Sequence, residues 1–107
     1  MTEQLSDLTW EIVQSWNRLA QDTVGKQLIR AADSIGANIA EGSGRGTQND
    51  NRRFAHIARG SLYETKHWLR RAFRRHLLTE EQIQSLKPII DELLLTLNGY
   101  IRSLCRP

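Results

Sequence analysis

Three glycines stand within five positions of the segment Gly42-Ser-Gly-Arg-Gly46, and main-chain N–H groups in such a segment could cradle a phosphate. The dinucleotide-binding motif requires a preceding strand and the spacing G-x-G-x-x-G, whereas a helical pattern precedes this segment and its spacing is G-x-G-x-G. The P-loop motif requires a lysine, which the segment lacks. We therefore interpret it as a helix C-cap glycine, a turn and an N-cap at Thr47. A role for Arg45 in attracting anions to the next helix N-terminus stays open.

A metal site is the second chemistry that the sequence suggests, because Glu64 and His67 form half of the ligand set of di-iron helix bundles. A complete site needs a second such pair, and the last predicted helix offers Asp91 and Glu92 without a histidine. The single cysteine, Cys105, cannot form an intrachain disulfide and stands near the chain end. We expect no metal, no cofactor and no enzymatic activity, because no reactive set of residues can be assembled.

Residues 52–76 carry eight Lys or Arg side chains against one acid, a local net charge of +7. At about 100° per residue of an α-helix, five of these cations fall on one line, which we call the basic stripe and expect opposite the apolar face. The basic stripe contains Arg52, Arg59, Lys66, Arg70 and Arg74, with Tyr63 among them. Like charges four residues apart destabilise a helix, and a polyanion would relieve this repulsion while releasing counterions.

This charge pattern favours nucleic-acid binding through phosphates rather than base edges. The candidate residues are Arg45, Arg52, Arg53, Arg59, Lys66, Arg70, Arg71, Arg74 and Arg75. Two alternatives stay open: a solvated helix face, and contact with an acidic protein surface such as a neighbouring subunit.

The composition is that of an ordinary globular protein, with 107 residues, 39% hydrophobic and 25% charged. This length predicts a single domain over residues 1–107. No apolar run approaches the roughly 20 residues that span a bilayer, so we expect no membrane contact. The N-terminal residues lack a basic segment followed by an apolar run, which predicts no secretory signal and a cytoplasmic location.

Apolar residues recur at steps of three and four in four segments, which predicts four helices and no strand. The predicted helices cover about residues 6–20, 23–41, 48–77 and 79–104. Short links favour antiparallel neighbours, so the predicted fold is all-α, an up-and-down antiparallel four-helix bundle.

Three features concern the helix boundaries and one concerns helix packing. Thr79 and Gln82 form a capping box, and Thr47 is a weaker cap. Pro88 should kink the fourth helix or delay its start. The small residues Ala32, Gly36 and Ala40 allow another backbone to approach closely, either within the chain or at a subunit interface.

Residues 27–42, QLIRAADSIGANIAEG, followed by Gly44-Arg45 and by IARGSLYET at 57–65, resemble a four-helix-bundle family. This family was first named for proteins encoded in intervening sequences of bacterial large ribosomal RNA genes. Leu8-Thr-Trp10 also fits its pattern, and the similarity covers nearly the whole chain. The link between the first two helices is shorter here than in many relatives, and Pro88 is not part of the pattern.

The resemblance implies an up-and-down four-helix bundle, homo-oligomers that are often ring-shaped pentamers, and no catalytic residues. A related branch, the accessory variability determinant of diversity-generating retroelements, is a basic pentameric bundle that binds nucleic acid and a reverse transcriptase. Two functions are therefore expected: nucleic-acid binding, with RNA favoured, or a protein-interaction scaffold or accessory subunit, for example of a reverse transcriptase. The matching polar residues are expected to form interhelix hydrogen bonds; they are Ser34, Asn38, Glu41, Ser61 and Glu64.

Overall fold

The computed structural model describes residues 1–105, which form four helices and no strand. Helix α1 is Thr2–Gln14, and α2 combines an α-helical turn at Arg18–Ala20, a π-helical segment at Gln21–Gly25 and an α-helix at Lys26–Ser43. Helix α3 is Gln48–Arg74 and α4 is Glu80–Leu104. The all-α four-helix bundle predicted from the apolar periodicity is confirmed.

Contacts at the helix ends show that sequential helices run antiparallel. The start of α3 meets the end of α4, where Gln48 Nε2 donates a hydrogen bond to the Leu104 carbonyl over 2.9 Å. Gly36, late in α2, lies against Thr2 at the start of α1. Within the described residues, α1 and α3 each pack against α2 and α4 but not against each other. Helices α1 and α3 therefore occupy opposite corners of the bundle.

The core combines large aliphatic side chains with small side chains on α2 and α3. Leu5, Leu28, Ile35 and Leu62 are fully buried, and each comes from the apolar stripe of its helix. Alanines bring α2 and α3 close together, because a methyl side chain lets two backbones approach. These buried alanines are Ala31, Ala32, Ala55, Ala58 and Ala72. Helix α3 is thus held rigidly along most of its length, which fixes the direction of its outward side chains.

The link between α1 and α2 differs from the prediction of one helix over residues 6–20. Helix α1 ends at Gln14, and Asn17 caps a new helix, with its Oδ1 accepting a hydrogen bond from the Ala20 N–H over 2.9 Å. The apolar pattern continued across this break because Trp16 is buried at the turn. Leu19 also matched the pattern, yet it is 75% exposed.

The predicted N-caps are confirmed. Pro88 was expected to kink α4 or to delay its start, and the expected delay is wrong, whereas the kink stays a prediction. Thr79 and Gln82 form both hydrogen bonds of the capping box, and α4 begins at Glu80 and continues through Pro88. Pro88 and Gln84, whose carbonyl loses its helical partner, are both exposed. Water can therefore solvate that carbonyl, and the helix tolerates the proline.

Candidate nucleic-acid interface

The glycine-rich segment between α2 and α3 has two structural functions. Helix α2 does not end at Gly42: it continues to Ser43, and Gly44 is the C-cap with a right-handed φ of −82°. Gly42 is buried against α3, and a Cβ there would lie 2.8 Å from Phe54 Cβ. Gly46 has a φ of +82°, which side chains disfavour. Close packing at Gly42 and the turn at Gly46 account for these glycines without a phosphate.

The cap of α3 uses Thr47, as the sequence predicted. Its Oγ1 accepts a hydrogen bond from the Asp50 N–H over 3.2 Å, and its carbonyl accepts one from the Asn51 N–H over 3.0 Å. The acidic Asp50 in the first turn suits the positive end of the helix dipole. Some of the main-chain N–H groups at this end of α3 are therefore already hydrogen-bonded within the chain.

Arg45 is the candidate residue whose charge is most nearly compensated. Its Nη2 lies 2.8 Å from Glu41 Oε1, and its Nε donates to the same oxygen over 3.0 Å. The guanidinium carbon also lies 5.1 Å from the centre of the Phe54 ring, and that of Arg53 lies 5.0 Å from it. Phe54 thus gathers two cations near the start of α3, one of them paired with an acid.

The basic stripe lies on the side of α3 that faces α4. The expectation that the stripe points directly away from the core is therefore wrong. Arg59 and Lys66 are half-buried. Arg59 Nη1 donates to Asn98 Oδ1 in α4 over 3.1 Å, and its Nη2 lies 3.2 Å from His56 Nδ1. Because α4 packs beside α3, a stripe about 100° from the buried face contacts the neighbouring helix.

An open groove of about 1010 Å³ lies between the C-terminal half of α3 and the N-terminal half of α4. Cations form its α3 wall, together with His67: Lys66, Arg70, Arg71 and Arg74. The α4 wall is mixed, with Lys87 beside the carboxylates of Glu80 and Asp91. Apolar side chains form the floor: Leu69, Phe73, Leu78, Ile83, Leu86 and Ile90. The groove therefore combines a positively charged edge with an apolar base.

The cations of residues 52–75 have no acidic partner within residues 1–105. The two ion pairs in that part of the chain are Arg18–Asp22 and Arg45–Glu41, and both lie outside this segment. Most of the cations are exposed: Arg52, Arg53, Arg70, Arg71, Arg74 and Arg75. Their positive charge is therefore available to a partner.

The structure divides the candidate residues into two groups along α3. Arg45, Arg52 and Arg53 lie near its start, whereas Arg70 and Arg74 line the groove near its end, about 27 Å and 33 Å from Arg52 at 1.5 Å rise per residue. Lys66 and Arg71 belong to the groove group, and Arg59 lies between the groups, bonded to Asn98. Arg75 caps the C-terminus of α3 and does not line the groove.

Two groove residues were missed by the sequence analysis. Phe73 follows the helical apolar pattern, yet it is 45% exposed and lines the groove. Lys87 belongs to α4 and joins the cations of α3 only because the two helices run antiparallel. Sequence spacing could not place either residue in a groove, since that depends on how α4 packs beside α3.

Glu64 and His67, the possible half of a metal site, are both exposed on α3. Within the described residues, no group of three or more His, Cys, Asp or Glu side chains could hold a metal ion. Cys105 is exposed with a free thiol. No helix among residues 1–105 is both long enough and apolar enough to cross a bilayer.

The expectation of interhelix hydrogen bonds is wrong for three of the five polar motif residues, Ser34, Asn38 and Glu41, which bond within their own segment of the chain. Ser34 Oγ donates to the Arg30 carbonyl over 2.7 Å, and Asn38 Nδ2 donates to the Ser34 carbonyl over 2.7 Å. Glu41 pairs with Arg45, one turn further along the chain. Short polar side chains on a helix readily bond to carbonyls of the preceding turn, and that local option prevails here.

The ridge of small residues in α2 serves packing within the chain at two of its three positions. Ala32 is fully buried. At Gly36 an added Cβ would lie 2.8 Å from Thr2 Oγ1 in α1, so this glycine allows α1 to approach. Ala40 is exposed.

A family model described as 23S rRNA-intervening sequence protein matches residues 1–99. The chain belongs to this family. A solved structure of a protein with unknown function from the S23 ribosomal protein family, from Bacteroides thetaiotaomicron, is similar at 27% identity. The alignment covers 94% of this chain and 98% of that one, with a TM-score of 0.76. No match was found among curated proteins.

Proposed function

We propose that this family member is a non-catalytic, homo-oligomeric protein that binds nucleic acid through α3 and the cationic wall of the α3–α4 groove. The observation that carries the proposal is the set of cations at residues 52–75 without an acidic partner in residues 1–105. RNA is favoured over DNA because the family's name connects it with 23S rRNA.

Electrostatics support phosphate contact in particular. The exposed guanidinium groups can form bidentate hydrogen bonds with phosphate oxygens, and binding would release the counterions that the polyanion holds. The two groups of cations are separated along one helix by about 20 Å, from Arg53 to Lys66 at 1.5 Å rise per residue, so a nucleic acid could contact both at once. Binding at several phosphates should weaken steeply as salt rises.

The test replaces three groove cations by glutamate: Lys66→Glu, Arg70→Glu and Arg74→Glu. Binding of a fluorescently labelled structured RNA is followed by anisotropy at low salt, and helicity is followed by circular dichroism. We expect the triple variant to lose RNA binding while it stays helical, since Arg70 and Arg74 are exposed. Normal RNA binding by the helical variant would refute the proposal.

A matched control reverses three cations elsewhere: Arg18→Glu, Lys26→Glu and Arg30→Glu. All three are exposed in α2, and the control changes the net charge by the same amount. If net charge alone governs binding, both triple variants lose RNA equally. If α3 forms the interface, the control retains most of its affinity.

Self-association of the chain is supported by the placement of charge on opposite corners of the bundle. Helix α1 carries the exposed acids Glu3, Asp7 and Glu11 at steps of four, with Trp10 among them 53% exposed. Helix α3, at the opposite corner, is cationic. Complementary faces on opposite sides suit head-to-tail contacts, which form a ring where the rotation between subunits closes, and the family resemblance implies a pentamer. The acids of α1 span only about 12 Å at 1.5 Å rise per residue, so such a contact would cover one part of α3 and leave the remaining cations for the nucleic acid. Light scattering after chromatography should give a mass well above the 12.3 kDa of one chain.

The alternative function, a protein-interaction scaffold or accessory subunit without a nucleic-acid role, draws on the same groove. Its apolar floor could receive an apolar helix face, and its cationic wall could receive acidic side chains. This alternative predicts that purified protein binds no RNA even at low salt. The anisotropy measurement therefore separates the two functions directly.

A further inference from the structure

We infer that the nucleic acid bound by this chain is single-stranded, with unpaired bases stacked on Tyr63 and Phe73 beside the groove cations. The inference rests on the proposed function and specifies its ligand. The observation behind it is that the cationic side of α3 also exposes two aromatic rings, Tyr63 at 49% and Phe73 at 45%.

Each ring lies one turn from at least one cation on α3. Tyr63 lies one turn from Arg59 and Lys66, and Phe73 lies one turn from Arg70 and Leu69. Exposed aromatic rings interleaved with cations are the arrangement by which proteins bind unpaired strands, because the cations follow the phosphates while bases stack on the rings. Contact with phosphates alone would not involve the aromatic rings, whereas stacking of bases would.

The groove floor supports the same ligand. Phe73, which is exposed, and Ile83, which is partly exposed, offer apolar surface in the groove that Arg70 and Arg74 also line. In a duplex the base faces are stacked on each other inside the helix and cannot reach such a floor. In a single strand the base faces are free, so they can lie on the floor while the phosphates meet the arginines.

The shape of the bundle disfavours a duplex ligand. Helix α3 is flanked by α2 and α4 in a body of 48 × 23 × 18 Å. The major groove of B-DNA is about 12 Å wide, and that of A-form RNA is too narrow for side chains to read. A duplex would meet this packed face of the bundle mainly through its phosphates. A flexible strand could instead follow α3 into the α3–α4 groove.

The test compares two fluorescein-labelled probes by anisotropy at low salt. One is an oligouridylate of about 20 nucleotides, longer than the roughly 4–16 nucleotides that one binding module covers. The other is the same strand annealed to oligoadenylate. We expect the wild-type chain to bind the single strand at least about tenfold more tightly than the duplex, since each stacked base adds affinity.

The double variant Tyr63→Leu/Phe73→Leu removes both flat rings while it keeps apolar side chains. Its affinity for the oligouridylate should fall by about tenfold to a hundredfold, and its affinity for the duplex should stay within about twofold. The matched control is Ile57→Ala, because Ile57 is an apolar side chain of α3 that is also 44% exposed but lies away from the basic stripe. The control should bind both probes as the wild type does.

The outcomes separate the inference from the proposed function. Equal or tighter binding of the duplex, or an unchanged ratio of the two affinities in the double variant, would overturn the single-strand inference and leave nucleic-acid binding standing. Binding of neither probe by the wild-type chain would overturn both.

Discussion

The indole Nε1 of Trp16 donates a hydrogen bond to the main-chain carbonyl of Leu77 over 2.8 Å. Trp16 follows the end of α1 and Leu77 follows the end of α3, so this bond joins opposite corners of the bundle at one end. Trp16 is 8% exposed, and its ring belongs to the core cluster. The bond closes the end of the bundle next to the α3–α4 groove.

Replacing Trp16 by Phe should therefore destabilise the fold by about 1–3 kcal/mol, because it leaves the Leu77 carbonyl without its partner and reduces core packing. Urea unfolding followed by circular dichroism measures the change. The control is Trp10→Phe, since Trp10 is 53% exposed and surface changes stay within about 0.5 kcal/mol. Equal effects of the two changes would show that the bond to Leu77 contributes nothing.

Two glycines should respond to alanine with opposite signs. At Gly42 an added Cβ would lie 2.8 Å from Phe54 Cβ, an atom fixed to the backbone of α3, so α2 and α3 must separate. We expect Gly42→Ala to destabilise by about 1–3 kcal/mol, the usual effect of overpacking, despite the better helix propensity of alanine. At Gly60 an added Cβ meets nothing within 4 Å, so Gly60→Ala should stabilise α3 by about 0.5–1 kcal/mol. Thermal unfolding of both variants decides the signs, and destabilisation by Gly60→Ala would contradict this account.

The presence of four helices was predictable from the sequence because each of the four apolar stripes repeats over several turns. The caps at Thr47 and Thr79 were predictable too, since an N-cap bond is local and involves residues three apart. The break before Asn17 was not, because the buried Trp16 prolonged the apolar pattern beyond the end of α1. Hydrogen bonds between residues close in sequence could thus be predicted, whereas the position of an apolar residue in the folded bundle could not.

The candidate site was predictable only in its charge. The cations of α3 follow from counting residues, but the groove depends on how α4 lies beside α3, and Phe73 and Lys87 become part of it only in the folded bundle. The pairing of Arg59 with Asn98 likewise joins residues from two helices. An angular projection of one helix gives the direction of a side chain but not what covers it.

His76 carries backbone strain that glycine would relieve. It has a φ of +60° at the end of α3, where the Leu77 N–H bonds to the Ala72 carbonyl over 2.9 Å and the His76 N–H bonds to the Phe73 carbonyl over 3.1 Å. This is the Schellman arrangement, which favours glycine at the left-handed position. His76→Gly should stabilise the fold by about 0.5–1 kcal/mol, net of the entropy that glycine adds to the unfolded chain.

Chemical denaturation checks this sign against His56→Gly, a change in the interior of α3 that should destabilise by about 1 kcal/mol. His56 is exposed, as His76 is, but His56→Gly also removes the contact of His56 Nδ1 with Arg59 Nη2 over 3.2 Å, so only the signs of the two effects are compared. Destabilisation by both changes would mean that the turn at His76 is not strained.

Arg45 and Arg70 should contribute unequally to RNA binding although both are exposed arginines. Arg45 lies 2.8 Å from Glu41 Oε1, whereas Arg70 has no acidic partner within residues 1–105. A phosphate must displace Glu41 to reach Arg45, so Arg45→Ala should weaken binding by less than about twofold and leave the salt dependence unchanged. Arg70→Ala should reduce the slope of log affinity against log salt by about one, the effect of losing one phosphate contact.

The pairing itself can be tested by removing the acid. Glu41→Gln keeps the size of the side chain but removes the charge that faces Arg45. In this background Arg45 becomes free to meet a phosphate, so we expect tighter RNA binding and a salt slope steeper by up to about one. Arg45→Ala should then reverse that gain, whereas in the wild-type chain it changes little. A Glu41→Gln variant that binds RNA as the wild type does would place Arg45 outside the interface and confine binding to α3 and its groove.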